Sequence, residues 1–274
     1  MRKLALLLLV APTLCLAAND YYPQDFQEKV ERNELKDERL INEIHTLLTT
    51  QHQRMIDGPD KLGCSRSQKG QCYRQISLGY KGARQMLFGK LHLEQDQNGY
   101  FVKDVYCNKV YRSSTPGIGK LGPEKIPNAN MLNCEHTWPQ SRFPSGDKGM
   151  KKADLHHLFP TENRANGIRG NYGFADVEND SHNSSLCAAS KQDRKRFFEP
   201  PDEHKGNVAR ALFYFSIRYQ TSIDSKQEAT MKRWHILDPV DGAERERNEE
   251  IYKLQNNRNP FIDYPELVDQ ISDF

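Results

Sequence analysis

Apolar residues along this chain of 274 fall into rhythms that place most of its elements. From Gln24 to Met55, the residues Phe26, Val30, Leu40, Ile41, Ile44, Leu47 and Leu48 recur at helical spacing among charges. That rhythm predicts one long amphipathic helix over about 24–57, closed by Pro59 and Gly63. Tyr100–Tyr111 is aromatic and β-branched with partial alternation, which predicts a strand. Thr115–Pro127 is rich in proline and glycine and reads as a loop. Val208–Tyr219 is apolar on nearly every side, so a helix there belongs to the core. Ala243–Gln255 predicts a charged helix, and the tail beyond Pro260 an irregular stretch ending in a short helix. No repeat or low-complexity linker divides the chain, so residues 19–274 read as one domain.

The first residues follow a different rule. Arg2 and Lys3 precede an apolar run from Leu4 to Leu16, and Ala17 and Ala18 follow it. This is the pattern of a secretory signal peptide, too short to span a bilayer. Residues 1–18, with Cys15 among them, are expected to be removed, and the protein to be secreted or periplasmic. Charged residues make up 28% of the chain and the mean hydropathy is −0.83. No other apolar run is long enough for a membrane span, so no membrane partner is expected.

Removing the signal peptide leaves 37 Lys/Arg against 37 Asp/Glu, because the peptide holds two of the 39 cations and no acid. The charge is unevenly placed. Cys64–Lys152 contains 15 Lys/Arg and 6 Asp/Glu, whereas Asp20–Thr50 has 4 against 8 and Asp241–Phe274 has 4 against 9. A basic middle between acidic ends points to an anionic partner. Five cysteines remain: Cys64, Cys72, Cys107, Cys134 and Cys187. Cys64 with Cys72 reads as a local staple, and two of the other three can pair. Cys134 is the consequential one, since a bond to Cys107 or Cys187 would fix the residue before Glu135. The spacing makes a poor zinc cage.

Candidate chemistry concentrates between Asn133 and Asn171. Gly117–Gly122 spells G-x-G-x-x-G, but Pro116 and Pro123 flank it and forbid the helix that a dinucleotide site requires. The sequons at Asn179 and Asn183 have meaning only in a eukaryotic secretory route. Glu135 and His136 place a hard oxygen ligand beside a base that can be neutral at pH 7. Asn166 adds a neutral carbonyl ligand, and Arg142 and Arg169 are available for phosphate. Mg²⁺ takes few protein ligands and keeps its waters, so these are parts of metal-assisted phosphodiester hydrolysis.

At these residues the chain closely resembles the endonuclease I family of secreted and periplasmic bacterial nucleases, of the ββα-metal (His-Me finger) type. The resemblance rests on Glu135-His136-Thr137-Trp138-Pro139, on Asp154-Leu155-His156-His157-Leu158-Phe159-Pro160, and on Asn166-Gly167-Ile168-Arg169-Gly170-Asn171. Further family-like stretches are Lys205–Ala211 and Asn257–Asp263, so it spans roughly 98–263 in matching order. It implies an α+β fold with a ββα-metal core over about 98–175 and a helical part over about 203–274. It implies His136 as general base, Glu135 and Asn166 as ligands of Mg²⁺ (or Ca²⁺ or Mn²⁺), and Asp154 and His156 as braces. Studied members carry a phosphate-binding arginine in an insert after the histidine. Only 17 residues separate His136 from Asp154 here, so Arg142, Lys148, Lys151 or Lys152 is expected to replace it.

The expectation is a monomeric, largely non-specific endonuclease acting on DNA, or on RNA as well, to give 5′-phosphate ends. Two alternatives differ in class. A zinc hydrolase would draw on Cys134, His136, His156 and His157, which lack H-E-x-x-H spacing. A non-enzymatic nucleic-acid binder would have no use for a base.

Overall fold

The helix that is apolar on all sides organises the rest. The structure, a computed structural model, describes residues 19–65, 71–181, 187–193 and 197–274. The expected signal peptide and Asn183 lie outside them. Helices α1 (Gln24–Glu31) and α2 (Asp37–Thr49) lead into a three-stranded sheet of β1 (His52–Gln53), β2 (Lys61–Leu62) and β3 (Cys72–Tyr73). Helix α3 (Gly79–Met86) runs on into a π turn, Leu87–Leu91, before the meander β4 (Glu94–Asp96), β5 (Gly99–Lys103) and β6 (Val110–Arg112). Strand β7 (Leu132–His136), helix α4 (Lys148–Ala153), strand β8 (Leu158–Glu162) and helix α5 (Asn163–Arg169) follow. A small sheet of β9 (Gly173–Phe174), β10 (Lys191–Gln192) and β11 (Phe197–Glu199) precedes four helices. These are α6 (Asp202–Tyr219), α7 (Ser225–Leu237), α8 (Gly242–Gln255) and α9 (Pro260–Asp263), with a last 3₁₀ turn at Pro265–Gln270. Helices and small sheets together make the α+β class.

Helix α6 buries Val208, Leu212, Phe213 and Phe215 against Leu40, Ile44 and Leu47 of α2 and Met231 and Trp234 of α7. Gly206 lets the end of α7 approach, because a Cβ there would collide with the Asp238 carbonyl oxygen. Arg210 grips Glu244 of α8 through two hydrogen bonds of 2.7 and 2.6 Å. A second apolar cluster, with Leu87, Phe88, Val102, Leu132, Leu155 and Leu158, fills the other side of β7 and β8.

Two expected elements are each broken in two. The helix expected over 24–57 stops at Glu31, turns through left-handed Asn33 (φ 54°), and restarts at Asp37. Buried Leu35 plugs the gap, and asparagine tolerates the left-handed C-terminal position. The strand expected over 100–111 is a hairpin, β5 and β6. The fully buried Asp104 carboxylate folds it back by accepting the amides of Tyr106 (3.0 Å), Cys107 (2.8 Å) and Lys109 (2.9 Å). The expected helices at Val208–Tyr219 and Ala243–Gln255 are both present, and Gly117–Gly122 is loop.

The cysteines need a correction. Cys64 bonds Cys72 and Cys107 bonds Cys187, leaving Cys134 as a buried free thiol. Cys134 points into the second apolar cluster, away from the Cys107–Cys187 pair, whose Cα atoms are 4.6 Å apart.

Behind β8, the buried Asp154 carboxylate collects Gln75 (3.0 Å), Tyr214 (2.8 Å), Tyr219 (2.7 Å) and Gln255 (2.7 Å). Burial alone would raise its pKa, yet His156, His157 and Tyr219 together hold it at about 2. Burial pushes His156 and His157 down to about 4 and His204 to about 3. Their unfolded counterparts titrate near ~6.5, so between ~6.5 and ~4 the unfolded chain binds the extra protons. This stabilisation is complete above ~6.5 and lost as pH falls; that of Asp154 is lost later, below ~3.8. Melting followed by circular dichroism should therefore show Tm falling by roughly 10 °C or more from about pH 7 to about pH 4. A flat profile over that range would show that these histidines are not buried neutral.

Candidate active site

Strand β7 lies antiparallel to β8, with Cys134 opposite Pro160, Glu135 opposite Phe159 and His136 opposite Leu158. Helix α5 starts on the residue after β8, capped by the Glu162 carboxylate on the Ala165 amide at 2.7 Å. Val105 binds the Pro160 carbonyl at 2.9 Å, which brings buried Tyr106 up beside Glu135. At the end of β7 opens a cleft of about 510 Å³, with Tyr80, Glu135, His136, Gln140, Asn163 and Asn166 among its walls.

Adjacent residues on an ideal strand point to opposite faces. Glu135 and His136 nevertheless share one cleft, because β7 ends at His136 and the chain turns away toward Pro139. Arg169 fixes that ending. It is 2% exposed, and its guanidinium donates to the carbonyls of His136 (3.1 Å) and Thr137 (2.6 Å). The same group stands 3.0 Å from Glu135 Oε1 and packs 4.5 Å from the Phe174 ring centroid. Both of its amino groups are engaged by the fold, while its Nε is buried without a hydrogen-bond partner, so a phosphate at Arg169 would compete with these bonds.

His136 is 5% exposed, between Tyr80 and His157. Its Nε2 faces the Lys152 carbonyl at 3.1 Å. A carbonyl only accepts, so Nε2 carries the proton and Nδ1 the lone pair. Nδ1 meets the Gln140 amide at 3.3 Å on the cleft side. Burial, followed by the nearby His157, pushes the imidazole down to about 3, so it is neutral near pH 7.

Glu135 is 1% exposed, and its Oε1 has the Arg169 ion pair at 3.0 Å but no hydrogen bond of good geometry. Burial raises its pKa, against the opposing pull of Arg169 and then Tyr106. Asn166 lies one helical turn before Arg169, on the same face of α5. Its amide Nδ2 donates to the Cys134 carbonyl at 3.4 Å, which leaves Oδ1 for another partner. One under-satisfied carboxylate and one amide carbonyl suit a hard cation that keeps most of its water.

The remaining expected residues separate. Asp154 and His156 stay out of the cleft, His156 Nε2 meeting the Asn257 carbonyl at 3.1 Å. Lys151 is buried, its Nζ is bound by the carbonyls of Ser145 (3.1 Å) and Gly146, and it is not among the cleft walls. Arg142 is exposed on the 3₁₀ turn Gln140–Arg142 at the cleft rim, and Lys148 is exposed at the start of α4. Lys152 Nζ sits 4.4 Å from the Tyr80 ring centroid. The zinc alternative finds no support in this geometry. Among the described residues no three His, Cys, Asp or Glu side chains gather to hold a metal, and burial pushes the Cys134 thiol up to about 12. Sequence reasoning passed over Tyr80 and Gln140. Gln140 lies four residues past His136 in the same motif, whereas Tyr80 is distant in sequence and carries no local signal.

The chain is 37% identical over 162 residues to an extracellular ribonuclease of Bacillus subtilis, covering 53% of this chain and 55% of that protein. It thus spans about half the length of the Bacillus ribonucleases it matches. An extracellular deoxyribonuclease of Aeromonas hydrophila is 31% identical over 179 residues, 57% of this chain and 79% of the relative. A periplasmic deoxyribonuclease of the same organism is 32% identical over 175 residues, 58% and 74% respectively. The Endonuclease I family profile matches residues 67–266. This chain belongs to the endonuclease I family.

Proposed function

We propose that this protein is an exported, largely sequence-non-specific endonuclease that hydrolyses phosphodiester bonds of DNA and RNA to 5′-phosphate ends. The observation that carries this reading is one cleft shared by the lone pair of His136 Nδ1, the under-satisfied carboxylate of Glu135 and the carbonyl of Asn166. Relatives named ribonuclease and deoxyribonuclease, extracellular and periplasmic, support both substrates and export.

His136 Nδ1 takes a proton from water as that water attacks phosphorus in line. The new P–O bond forms as the P–O3′ bond breaks, leaving a 5′-phosphate and a 3′ oxygen that takes its proton from solvent water. The Lys152 carbonyl, on Nε2–H, favours the imidazolium formed at that moment. Nucleases of this family depend on a divalent metal. Glu135 and Asn166 are the residues to hold Mg²⁺, or Ca²⁺ or Mn²⁺. Once bound, such an ion supplies positive charge to the phosphate and the leaving oxygen. Arg142, Lys148 and Lys152 provide phosphate contacts that carry no base information, so little sequence preference is expected.

Incubating the purified protein with plasmid and with RNA, in Mg²⁺ and then EDTA, tests the reading directly: cleavage that survives EDTA, or none in metal, would refute it. His136→Ala should lose ~10²–10⁴ in rate while DNA binding persists. Near wild-type nicking by that variant would remove His136 from the role of base. Glu135→Ala and Asn166→Ala should show losses that raised Mg²⁺ partly restores; a loss indifferent to metal concentration counts against ligand roles.

Cations divide into two groups by burial. Neutralising exposed Arg142 or Lys148 should flatten the log–log salt dependence of DNA binding by about one unit each, with Tm unchanged. Arg169→Gln should instead lower Tm and abolish activity together. An Arg169→Gln protein of normal Tm with only a flatter salt slope would return Arg169 to phosphate binding.

A further inference from the structure

Arg84 is a cation without an anion. It projects from α3, is half-buried, and its Nε is buried with no hydrogen-bond partner. No carboxylate pairs with it among the described residues, and the residues outside that set contain no Asp or Glu. Leaving a buried guanidinium N–H unmatched costs about 1–3 kcal/mol, so the arrangement needs a compensating partner. Its guanidinium lies 5.8 Å from the centroid of the Tyr80 ring. Lys152 Nζ rests 4.4 Å from the same centroid and likewise forms no ion pair among the described residues. Two cations on one tyrosine repel each other unless an anion joins them. Tyr80 itself lines the cleft, its ring 5.6 Å from that of His136.

We propose that Tyr80, Arg84 and Lys152 form a nucleotide subsite beside the scissile position. The Tyr80 ring takes the face of a base or sugar, and Arg84 and Lys152 together grip the neighbouring phosphate. The subsite deepens the endonuclease reading above and rests on it. It also adds, from α3, a cation to those that the short stretch between His136 and Asp154 carries. Stacking on an aromatic ring tolerates any base, which agrees with cleavage of little sequence preference.

The variants are Arg84→Gln, Arg84→Lys, Tyr80→Ala and Tyr80→Phe. Binding of a short fluorescein-labelled single-stranded oligodeoxynucleotide is measured in EDTA across a salt series, so this readout needs no catalysis. Arg84→Gln should flatten the salt slope by about one unit, and Arg84→Lys should keep it. Tyr80→Ala should weaken binding roughly 5- to 100-fold and Tyr80→Phe should not. In Mg²⁺, the Gln and Ala variants should raise KM by the same factors, with kcat within about threefold of wild type. Wild-type slope and KM in Arg84→Gln would overturn the proposal, as would a fall confined to kcat. Tyr80 closes over the Cys134 thiol, so if Tyr80→Ala unfolds, the two arginine variants decide alone. Failure of the wild type to cleave any polynucleotide in metal would instead sink the nuclease reading, while the binding series would still judge the subsite.

Discussion

The buried guanidinium of Arg169 is the constraint on which the site depends. A strand continuing past His136 would send Glu135 and His136 to opposite faces. Arg169 prevents this by taking the carbonyls of His136 and Thr137 out of any ladder and holding them to the end of α5. The same cation offsets part of the cost of burying Glu135, whose pKa burial raises. One side chain thus joins the helix that carries Asn166 to the strand end that carries His136. Lysine cannot substitute, since a point charge lacks the planar fork that meets two carbonyls and a carboxylate at once.

The orientation of the His136 ring depends on a second chain of contacts. His136 is committed to one tautomer by the Lys152 carbonyl, which α4 positions. The chain leaving α4 reaches Asp154 at once, and Asp154 is tied to α6 by Tyr214 and Tyr219 and to α8 by Gln255. The apolar helix at the centre of the fold therefore determines, through a buried carboxylate, which nitrogen of His136 faces the cleft. The five bonds on Asp154 include the His156 amide at 3.2 Å, which closes the turn into β8.

Legibility in the sequence followed locality. The Glu135–Pro139 and Asp154–Pro160 runs, the central helix and the charged helix over Ala243–Gln255 carry their signals within a few turns, and they were readable. The break at Asn33 was hidden because the apolar rhythm resumes in phase at Leu40, and the plug residue Leu35, on the opposite face of that expected helix, reads as a lone exposed leucine. The hairpin at Asp104 was hidden because an aspartate among aromatics reads as an edge residue until the amides of Tyr106, Cys107, Lys109 and Glu162 are seen on its carboxylate. Cys134 was misjudged for a related reason: composition allows it to pair, but only strand direction shows its sulfur turned from the other cysteines. Lys151, Arg169 and Arg84 are indistinguishable from surface cations by sequence. What separates them is whether carbonyls, a carboxylate or nothing at all faces the charge.

That separation changes how the basic middle of the chain should be understood. The excess of cations between Cys64 and Lys152 suggested an anionic partner, yet counting them all overstates the surface. Lys151 is consumed by carbonyls, and Arg112 pairs with Asp96 through hydrogen bonds of 2.9 and 2.6 Å. The cations left near the cleft come from separate elements, Arg142 on its rim turn, Lys152 on α4 and Arg84 on α3. A chain of near-zero mature net charge has little long-range attraction for a polyanion, so affinity must come from these few contacts at short range. Few contacts mean a shallow salt dependence and rapid release. In the reading proposed above, turnover then depends on pre-organised geometry at the end of β7 rather than on tight binding.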